Sequence, residues 1–150
     1  MILYHASNEI VEYPEIRKSR YTKDFSWGFY CTDILEQAER WAKRGEGPAV
    51  INRYIYSPSN SLSILKFDEM TEEWLDFIAK CRSGEVHHFD IVEGPMANDT
   101  VWNYVNDFLN GILTRKQFWV MAEFRYPTHQ ISFHTLAALN QLKYDGSELI

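Results

Sequence analysis

The amino-acid sequence predicts an α+β fold. Short strand-like runs and amphipathic helical stretches occur in mixed order, without the regular alternation of a doubly wound sheet. The chain has 150 residues, of which 45% are apolar and 15% aromatic, and a chain of this size can build one hydrophobic core without disulfides or a structural metal. Because no linker, repeat or low-complexity tract interrupts the sequence, we predict a single domain over residues 1–150.

Hydrophobic periodicity, capping residues and turn residues place the individual elements. The apolar run 2–5 stops at a turn, and the alternation of residues 49–56 is typical of a half-buried strand. The first half of the chain is predicted to contain strands at 2–5 and 28–31, a helix from Thr32 or Asp33 to about Lys43 with Gly45 as its stop, and strands at 49–56 and 62–67. A helix at 68–82, a strand at 86–92 and a helix capped by Asn98 or Asp99 that reaches Ile112 follow. The last predicted elements are a helix from Thr114 through Phe124 that Pro127 ends, a strand at 130–134 and a helix from Thr135 to about Leu142.

Charge and hydropathy exclude several functional classes. The net charge is −6 and both halves of the chain are acidic, which argues against duplex DNA as a partner. The longest apolar run, residues 118–122, has five residues, whereas a membrane span needs about 20. The N-terminus has no secretion signal, and Cys31 and Cys81 lie in apolar surroundings typical of reduced thiols. These features predict a cytoplasmic protein without a membrane-spanning segment.

Common catalytic signatures are missing from the sequence. It has no Gly-rich phosphate loop, Cys-x-x-Cys pair, nucleophile elbow or zinc-binding His-Glu-x-x-His motif. His87 and His88 are neighbours on a predicted strand, so their side chains point to opposite faces and cannot share a metal there. His129 and His134 are also an odd number of positions apart. We therefore predict no metal site.

Two stretches carry polar and aromatic residues at the ends of short strands. His5 ends the first strand and is followed by Ala6 and Ser7. Residues 24–32, Asp-Phe-Ser-Trp-Gly-Phe-Tyr-Cys-Thr, lead through Tyr30 to the head of the first helix. Taken singly, a histidine at a strand end and a cluster of aromatic residues are usually structural.

Together these stretches resemble the His-Gly-Ser/Thr and Gly-Ile-Tyr-Phe elements of the ADP-ribosyltransferase superfamily, on its diphtheria-toxin and poly-ADP-ribose-polymerase side. Trp41 stands eleven residues after Tyr30, where the polymerases have a second tyrosine. The predicted late strand resembles the strand that bears the family's glutamate, and Gln130 stands at that position. The resemblance implies two antiparallel-rich sheets that form a split core with flanking helices.

The whole chain also resembles a family of small bacterial proteins of unknown function in the same superfamily. The shared stretches occur in the same order and are residues 3–7, 24–32, 37–42, 73–78, 89–99 and 130–135. This resemblance implies an NAD-dependent mono-ADP-ribosyltransferase that modifies a macromolecular acceptor, as a bacterial toxin with a small antitoxin protein as its partner.

The same resemblance implies roles for individual residues. His5 and Ser7 would hydrogen-bond the adenosine ribose, the Ala6 backbone would bind the carboxamide, and Tyr30 and Trp41 would hold the nicotinamide ring between them. The implied catalytic residues are His5, Tyr30 and Gln130. Gln130, Ser132 and His134 share one face of the late strand, so we expect polar side chains to line the NAD cleft.

The chain departs from the superfamily pattern at three positions. Ala6 replaces a glycine, which is compatible with a negative φ only. Ala38 stands where the polymerases have a serine that contacts the carboxamide. Gln130 is neutral and gives no negative charge to the cationic transition state, although a charge-assisted hydrogen bond is roughly twice as strong as a neutral one. The candidate substitutes for the missing carboxylate are Asp90, Asp99 and Glu123.

Several alternatives therefore stay open. The principal one is a non-catalytic or weakly catalytic NAD-binding or nucleotide-binding module, which Gln130 and Ala38 favour. RNA 2′-phosphotransfer is disfavoured by the acidic chain, and the aromatic cluster could be core in a protein that acts as an interaction partner. The basic stretch Arg17–Lys23 fits a solvated loop, a flap over the NAD pyrophosphate or a docking surface for an acidic target.

Overall fold

A computed structural model of the chain describes residues 1–18, 23–97, 99–122 and 128–150. Over these residues the fold is mixed α+β, as predicted, with two sheets and five helices. The elements are β1 (Ile2–Ser7), β2 (Phe29–Cys31), α1 (Leu35–Arg44), β3 (Val50–Tyr56), β4 (Ile64–Lys66), α2 (Glu72–Arg82), β5 (Ile91–Gly94), α3 (Asp99–Leu109), α4 (Arg115–Met121), β6 (Gln130–Phe133), α5 (Leu136–Leu139) and β7 (Leu142–Leu149). None of the helices so described has the length and apolarity that crossing a membrane requires.

The first sheet is antiparallel and has the strand order β1-β3-β7. Strand β1 lies at its edge and pairs with β3 in regular register, with Ala6 opposite Ile51. On its other side, β1 makes a single bridge to the second sheet, in which the backbone of Tyr4 exchanges both hydrogen bonds with Thr32 at 2.8 and 2.9 Å.

The second sheet has the order β2-β6-β5-β4, in which β4 and β5 are parallel and the other neighbours antiparallel. Alternate residues of its strands enter two different cores. Phe29 and Phe133 face the first sheet and pack near Leu3. Tyr30 and Val92 face the other way, into a core formed with residues of α2, α3 and α4. The sheet is therefore covered on both faces, and Gln130, two residues before Ser132 in β6, lies on the helical side.

The observed starts of α1 and α2 differ from the predicted ones, and the residue before α1, Ile34, makes no side-chain capping hydrogen bond. Helix α1 begins at Leu35 after Ile34, since Thr32 is engaged in the bridge to Tyr4 and its hydroxyl accepts from the Ile34 amide. Helix α2 begins at Glu72, where the Thr71 side chain accepts from the Trp74 amide. Thr114 caps α4 in a capping box, as predicted.

Two predicted strands are also shifted or shortened. The strand predicted at 86–92 is observed as β5 at Ile91–Gly94, because His87 turns its own backbone segment by accepting from the Phe89 amide. The strand predicted at 62–67 is shorter, at Ile64–Lys66. The predicted cap at Asn98 and the predicted helix end at residues 123–127 lie outside the described residues.

The C-terminal segment is the largest error of the sequence prediction. The helix predicted to reach Leu142 is a single turn, α5, and residues 142–149 form strand β7. This strand pairs with the free edge of β3, and its Tyr144 packs on Tyr54 with ring centroids 6.0 Å apart. Tertiary pairing with an open sheet edge thus overrides the weak helical pattern.

Candidate functional site

A cavity of about 400 Å³ is lined from β1, β2, β6 and α1 together with α2 and the segment after β5; we call it the main cavity. It brings together five of the six predicted site residues, while Ser7 lines the neighbouring cavities instead. The residues lining the main cavity are His5, Ala6, Lys23, Asp24, Tyr30, Trp41, Arg44, Arg82, Met96, Ala97 and Gln130.

His5 presents a hydrogen-bond acceptor at neutral pH. Its Nδ1 lies 2.7 Å from the Tyr30 carbonyl oxygen, and because a carbonyl only accepts, Nδ1 carries the proton and Nε2 keeps its lone pair. Desolvation lowers the pKa of His5 to about 4, so the ring is neutral. Its orientation is fixed by stacking on Phe29, with centroids 4.0 Å apart.

The backbone N–H and C=O of Ala6 have no hydrogen-bond partner within residues 1–18, 23–97, 99–122 and 128–150. In an antiparallel ladder, hydrogen-bonded and non-hydrogen-bonded pairs alternate. The Tyr4 N–H and C=O point away from β3 towards Thr32, so the same groups of Ala6, two residues on in a regular register, also point away from β3. The φ of Ala6 is negative, since Ser26 is the one non-glycine residue with positive φ in the described part of the chain. The backbone at position 6 therefore has the negative φ that an alanine requires there.

Tyr30 and Trp41 both line the main cavity. Tyr30 is 6% exposed, and its hydroxyl donates to the Ser26 carbonyl at 2.6 Å while accepting from the Phe25 amide at 3.0 Å. Burial raises the pKa of Tyr30 well above its usual value, so the phenol stays neutral. The ammonium of Lys23 lies 4.9 Å from the Tyr30 ring centroid, which shows that this face of the ring accepts a cation.

The loop at residues 24–28 forms one wall of the cavity, and side chains from distant elements hold its backbone. The Phe25 carbonyl lies 2.8 Å from His87 Nε2, and the Trp27 carbonyl lies 2.8 Å from His134 Nδ1. Gly28 is required there, because a Cβ at this position would lie 2.8 Å from the His134 ring and 2.9 Å from the Phe133 carbonyl. The loop is thus a rigid support for Asp24 and Tyr30.

Asp24 is a buried carboxylate on this loop, 4% exposed. It forms an ion pair with Arg82, whose Nε donates to Oδ1 at 2.8 Å and whose Nη2 donates to the same oxygen. Its Oδ2 accepts from the Ala97 amide at 2.8 Å and from Gln130 Nε2 at 2.9 Å. The Arg82 guanidinium in turn lies 3.3 Å from the centroid of the Trp102 ring. Four separate parts of the chain therefore meet at Asp24.

The start of β6 is held from both sides. The fully buried amide of Gln37 in α1 donates to the His129 carbonyl at 2.7 Å and accepts from the His129 amide at 3.1 Å. The His129 ring lies between two carboxylates, with Nδ1 2.9 Å from Asp33 and Nε2 3.4 Å from Glu93. Hydrogen bonding to Glu93 first, and also to Asp33, raises the pKa of His129. These contacts fix the backbone position of Gln130.

The raised pKa of His129 predicts a pH dependence of stability. A histidine whose pKa is raised on folding contributes stability that is present below its unfolded value of about 6.5 and is lost as pH rises through the folded value. We expect His129→Gln to destabilise the protein by about 0.5–1 kcal/mol near pH 6 and by less near pH 8.5. Chemical denaturation of both proteins across this range measures the difference; an equal loss at every pH would contradict the ion pairs.

A second cavity of about 180 Å³ shares His5 and Lys23 with the main cavity; we call it the side cavity. Ser7 and Trp27 line it, and Arg17 at its rim is paired with Glu9 and Glu15. Of the predicted basic stretch Arg17–Lys23, residues 19–22 lie outside the described residues. Because His5 and Lys23 line both cavities, the two cavities are neighbours.

The main cavity is locally basic although the whole chain is acidic. Three cationic side chains line it, those of Lys23, Arg44 and Arg82, against the single carboxylate of Asp24 among the described lining residues. Such a cavity attracts an anionic ligand. Both cysteines are free and buried, and burial raises the pKa of each thiol, so a thiolate nucleophile is disfavoured.

Two expectations about polar side chains need correction. Of the three polar residues predicted to share one face of the late strand, Gln130 reaches the cavity, whereas Ser132 is fully buried and its hydroxyl lies 2.6 Å from Nε2 of His134, which follows the end of β6. Among the suggested substitute carboxylates, Asp90 is bonded to Ser63 and Thr135 and does not line the cavity. The side chain of Asp99 and the whole of Glu123 lie outside the described part of the chain.

Asp24 and Arg82 line the cavity although no sequence pattern indicated them as site residues. Asp24 is the first residue of the motif at residues 24–32. Its place in that motif is the only local feature of the sequence that marks it as a candidate site residue. The partnership with Arg82 spans 58 residues, and no periodic pattern links the two. A buried acidic residue at the edge of an aromatic motif is nevertheless informative, because a carboxylate placed there needs a partner.

Residues 1–144 of the chain match the family model described as "Protein of unknown function (DUF3990)". A search of the curated proteins gives no match.

Proposed function

The chain belongs to the family of proteins of unknown function described as DUF3990, and from this premise and the cavity geometry we propose that it binds NAD and transfers ADP-ribose to a macromolecular acceptor. The observation that carries the proposal is the convergence of His5, Ala6, Tyr30, Trp41 and Gln130 on one cavity. From the resemblance described above we further propose an ADP-ribosyltransferase-like fold and a cytoplasmic bacterial toxin that a small antitoxin protein neutralises.

The polar groups of the cavity fit the parts of NAD. His5 Nε2 and Gln130 Oε1 are acceptors suited to ribose hydroxyls, and the Ala6 backbone offers the donor and acceptor that a carboxamide needs. The Lys23 ammonium lies over the face of the Tyr30 ring. Because the nicotinamide ring of NAD is also cationic, the same ring face can stack on it. Lys23 and Arg44 supply positive charge for the pyrophosphate.

The proposed reaction is a substitution at the nicotinamide ribose. The bond between C1′ and the nicotinamide nitrogen breaks, and its electron pair leaves with neutral nicotinamide. An acceptor nucleophile forms the new bond to C1′ and releases its proton to water. The developing oxocarbenium charge needs orientation and electrostatic stabilisation more than acid catalysis. Tyr30 and Trp41 orient the leaving group, and His5 and Gln130 hold the riboses.

A second candidate function is an NAD-binding module without catalysis. The observation in its favour is that Asp24, the single carboxylate among the described lining residues, is already bonded to Arg82, Ala97 and Gln130. Calorimetric binding of NAD without release of nicotinamide would select this function over transfer.

Titration of the folded protein with NAD, followed by incubation with labelled NAD and bacterial lysate, tests the proposal. We expect saturable binding and label on a macromolecule. Replacing His5 by alanine removes an oriented acceptor and should weaken NAD binding roughly tenfold, since a hydrogen bond is worth about 1 kcal/mol and its loss leaves a ligand hydroxyl unpaired. Because the pKa of His5 is lowered to about 4, the affinity should stay constant between about pH 5.5 and pH 8.

His88 provides the matched control, because it is exposed and lies outside both cavities. His88→Ala should leave NAD affinity unchanged, and thermal unfolding of both variants confirms that they are folded. An affinity that is equal in wild type, His5→Ala and His88→Ala, or no NAD binding at all, would overturn the proposal.

A further inference from the structure

We infer that Asp24 is a positioning residue that holds the Gln130 amide with Nε2 turned inward and Oε1 turned into the main cavity, so that position 130 is a fixed hydrogen-bond acceptor built for glutamine and incompatible with glutamate. The inference rests on the proposed function for the identity of the ligand. The orientation of the Gln130 amide implies that the ligand group next to Oε1 is a hydrogen-bond donor, such as a ribose hydroxyl.

The orientation of the Gln130 amide follows from the chemistry of its partner. An ionised carboxylate is an acceptor only, so the atom of Gln130 that lies 2.9 Å from Asp24 Oδ2 must be the NH₂ nitrogen. Asp24 itself cannot turn away, because Arg82 holds its Oδ1 and the Ala97 amide holds its Oδ2. One end of the amide is therefore locked by three elements outside β6.

The other end of the amide faces the cavity. Gln130 lines the main cavity while being 5% exposed, and its Oε1 has no hydrogen-bond partner within residues 1–18, 23–97, 99–122 and 128–150. In the same part of the chain no fully buried side-chain oxygen or nitrogen lacks a partner. Oε1 is thus accessible from the cavity, where it can accept a hydrogen bond from a ligand.

Glutamine and glutamate are not interchangeable at this site. A carboxylate at position 130 would put two negative charges at hydrogen-bond distance, and two such groups cannot both stay ionised. The Arg82 guanidinium, which is bonded to Asp24 Oδ1 and stacked on Trp102, supplies one positive charge and compensates only one of the two negative charges. The neutral residue at the place of the superfamily's glutamate is therefore a specific fit to Asp24, and Gln130→Glu should not awaken catalysis.

The first arm of the test measures stability and needs no ligand. We expect Gln130→Glu to lower the Tm by about 3–8 °C more at pH 7.5 than at pH 4.5 relative to wild type, because Asp24 raises the pKa of the new carboxyl and its charged form is disfavoured. Gln130→Met, which lacks a carboxylate, should lower the Tm equally at both pH values. Adding Asp24→Asn to Gln130→Glu should remove the pH-dependent part, because a single carboxylate remains.

The second arm measures positioning by ligand binding. An NAD analogue that lacks one hydroxyl of the nicotinamide ribose should bind wild type roughly tenfold more weakly than NAD does, if that hydroxyl donates to Oε1. Asp24→Asn frees the amide to rotate, so the ratio of the two affinities should fall towards one, as it should in Gln130→Met. Loss of general packing would weaken both ligands equally and leave the ratio unchanged.

The two arms separate this inference from the proposed function. Failure of wild type to bind NAD would overturn the proposed function, and the pH contrast between Gln130→Glu and Gln130→Met would still decide the amide orientation. A Gln130→Glu variant whose Tm loss is independent of pH, or an unchanged affinity ratio in Asp24→Asn, would overturn the inference.

Discussion

Replacing Asp24 by leucine is expected to lower the free energy of unfolding by about 3–5 kcal/mol, the cost of leaving one member of a buried ion pair unpaired. The Arg82 side chain is 13% exposed, so little water reaches its charge after the substitution. The Ala97 amide and the Gln130 amide lose their acceptor at the same time. Urea denaturation followed by circular dichroism measures the loss.

Two matched variants distinguish a buried pair from a general effect of losing charge. Asp24→Leu combined with Arg82→Met removes both charges and should recover part of the stability. Asp145→Leu removes the partner of Arg53 from a pair whose side chains are both about 40% exposed, and it should cost less than about 1 kcal/mol. Equal losses for Asp24→Leu and Asp145→Leu would show that the Asp24 pair is not buried.

Replacing Trp74 by alanine is expected to cost about 3–5 kcal/mol, as for other fully buried tryptophans. Trp74 is 0% exposed in the helical core, and its indole N–H donates to the Pro95 carbonyl at 2.9 Å. Pro95 lies two residues before Ala97, whose amide holds Asp24. The substitution should therefore also loosen the cavity wall and reduce NAD binding.

Trp74→Phe separates the two contributions of this side chain. It keeps most of the ring but leaves the Pro95 carbonyl without its donor, so we expect a smaller loss of about 1–3 kcal/mol. Trp119→Phe is the control, because that indole N–H donates to the exposed carboxylate of Glu72; it should cost less than about 1 kcal/mol. A Trp119→Phe loss as large as that of Trp74→Phe would contradict the assignment.

Local sequence patterns predicted the α+β class and most elements of this fold, whereas the residues that the structure places around one cavity were predicted from the resemblance to the ADP-ribosyltransferase superfamily. The alternation of residues 50–56 and the capping box at Thr114 are local signals, and both elements were confirmed. The position of Trp41, eleven residues after Tyr30, came from the resemblance to polymerases. Both rings line the main cavity, and their role in stacking nicotinamide stays a prediction.

The parts that local patterns did not predict depend on contacts between distant residues. Strand β7 forms because the edge of β3 is open, and residues 142–149 alone carry no strong strand signal. The ion pair between Asp24 and Arg82 and the hydrogen bond between Asp24 and Gln130, 106 residues apart, exist only after α2 and β6 have packed. The orientation of Gln130 therefore could not be read from its place in the late strand.

The bridge between Tyr4 and Thr32 has a consequence for how a ligand enters. It is one pair of backbone hydrogen bonds, and beyond it the N–H and C=O of Ala6 in β1 have no partner in the part of the chain that the structure describes. A ligand that binds beside β1 can therefore hydrogen-bond the N–H and C=O of Ala6 and leave the backbone hydrogen bonds within both sheets in place. Docking should leave the hydrogen-exchange protection of both sheets intact while slowing exchange at the amide of Ala6.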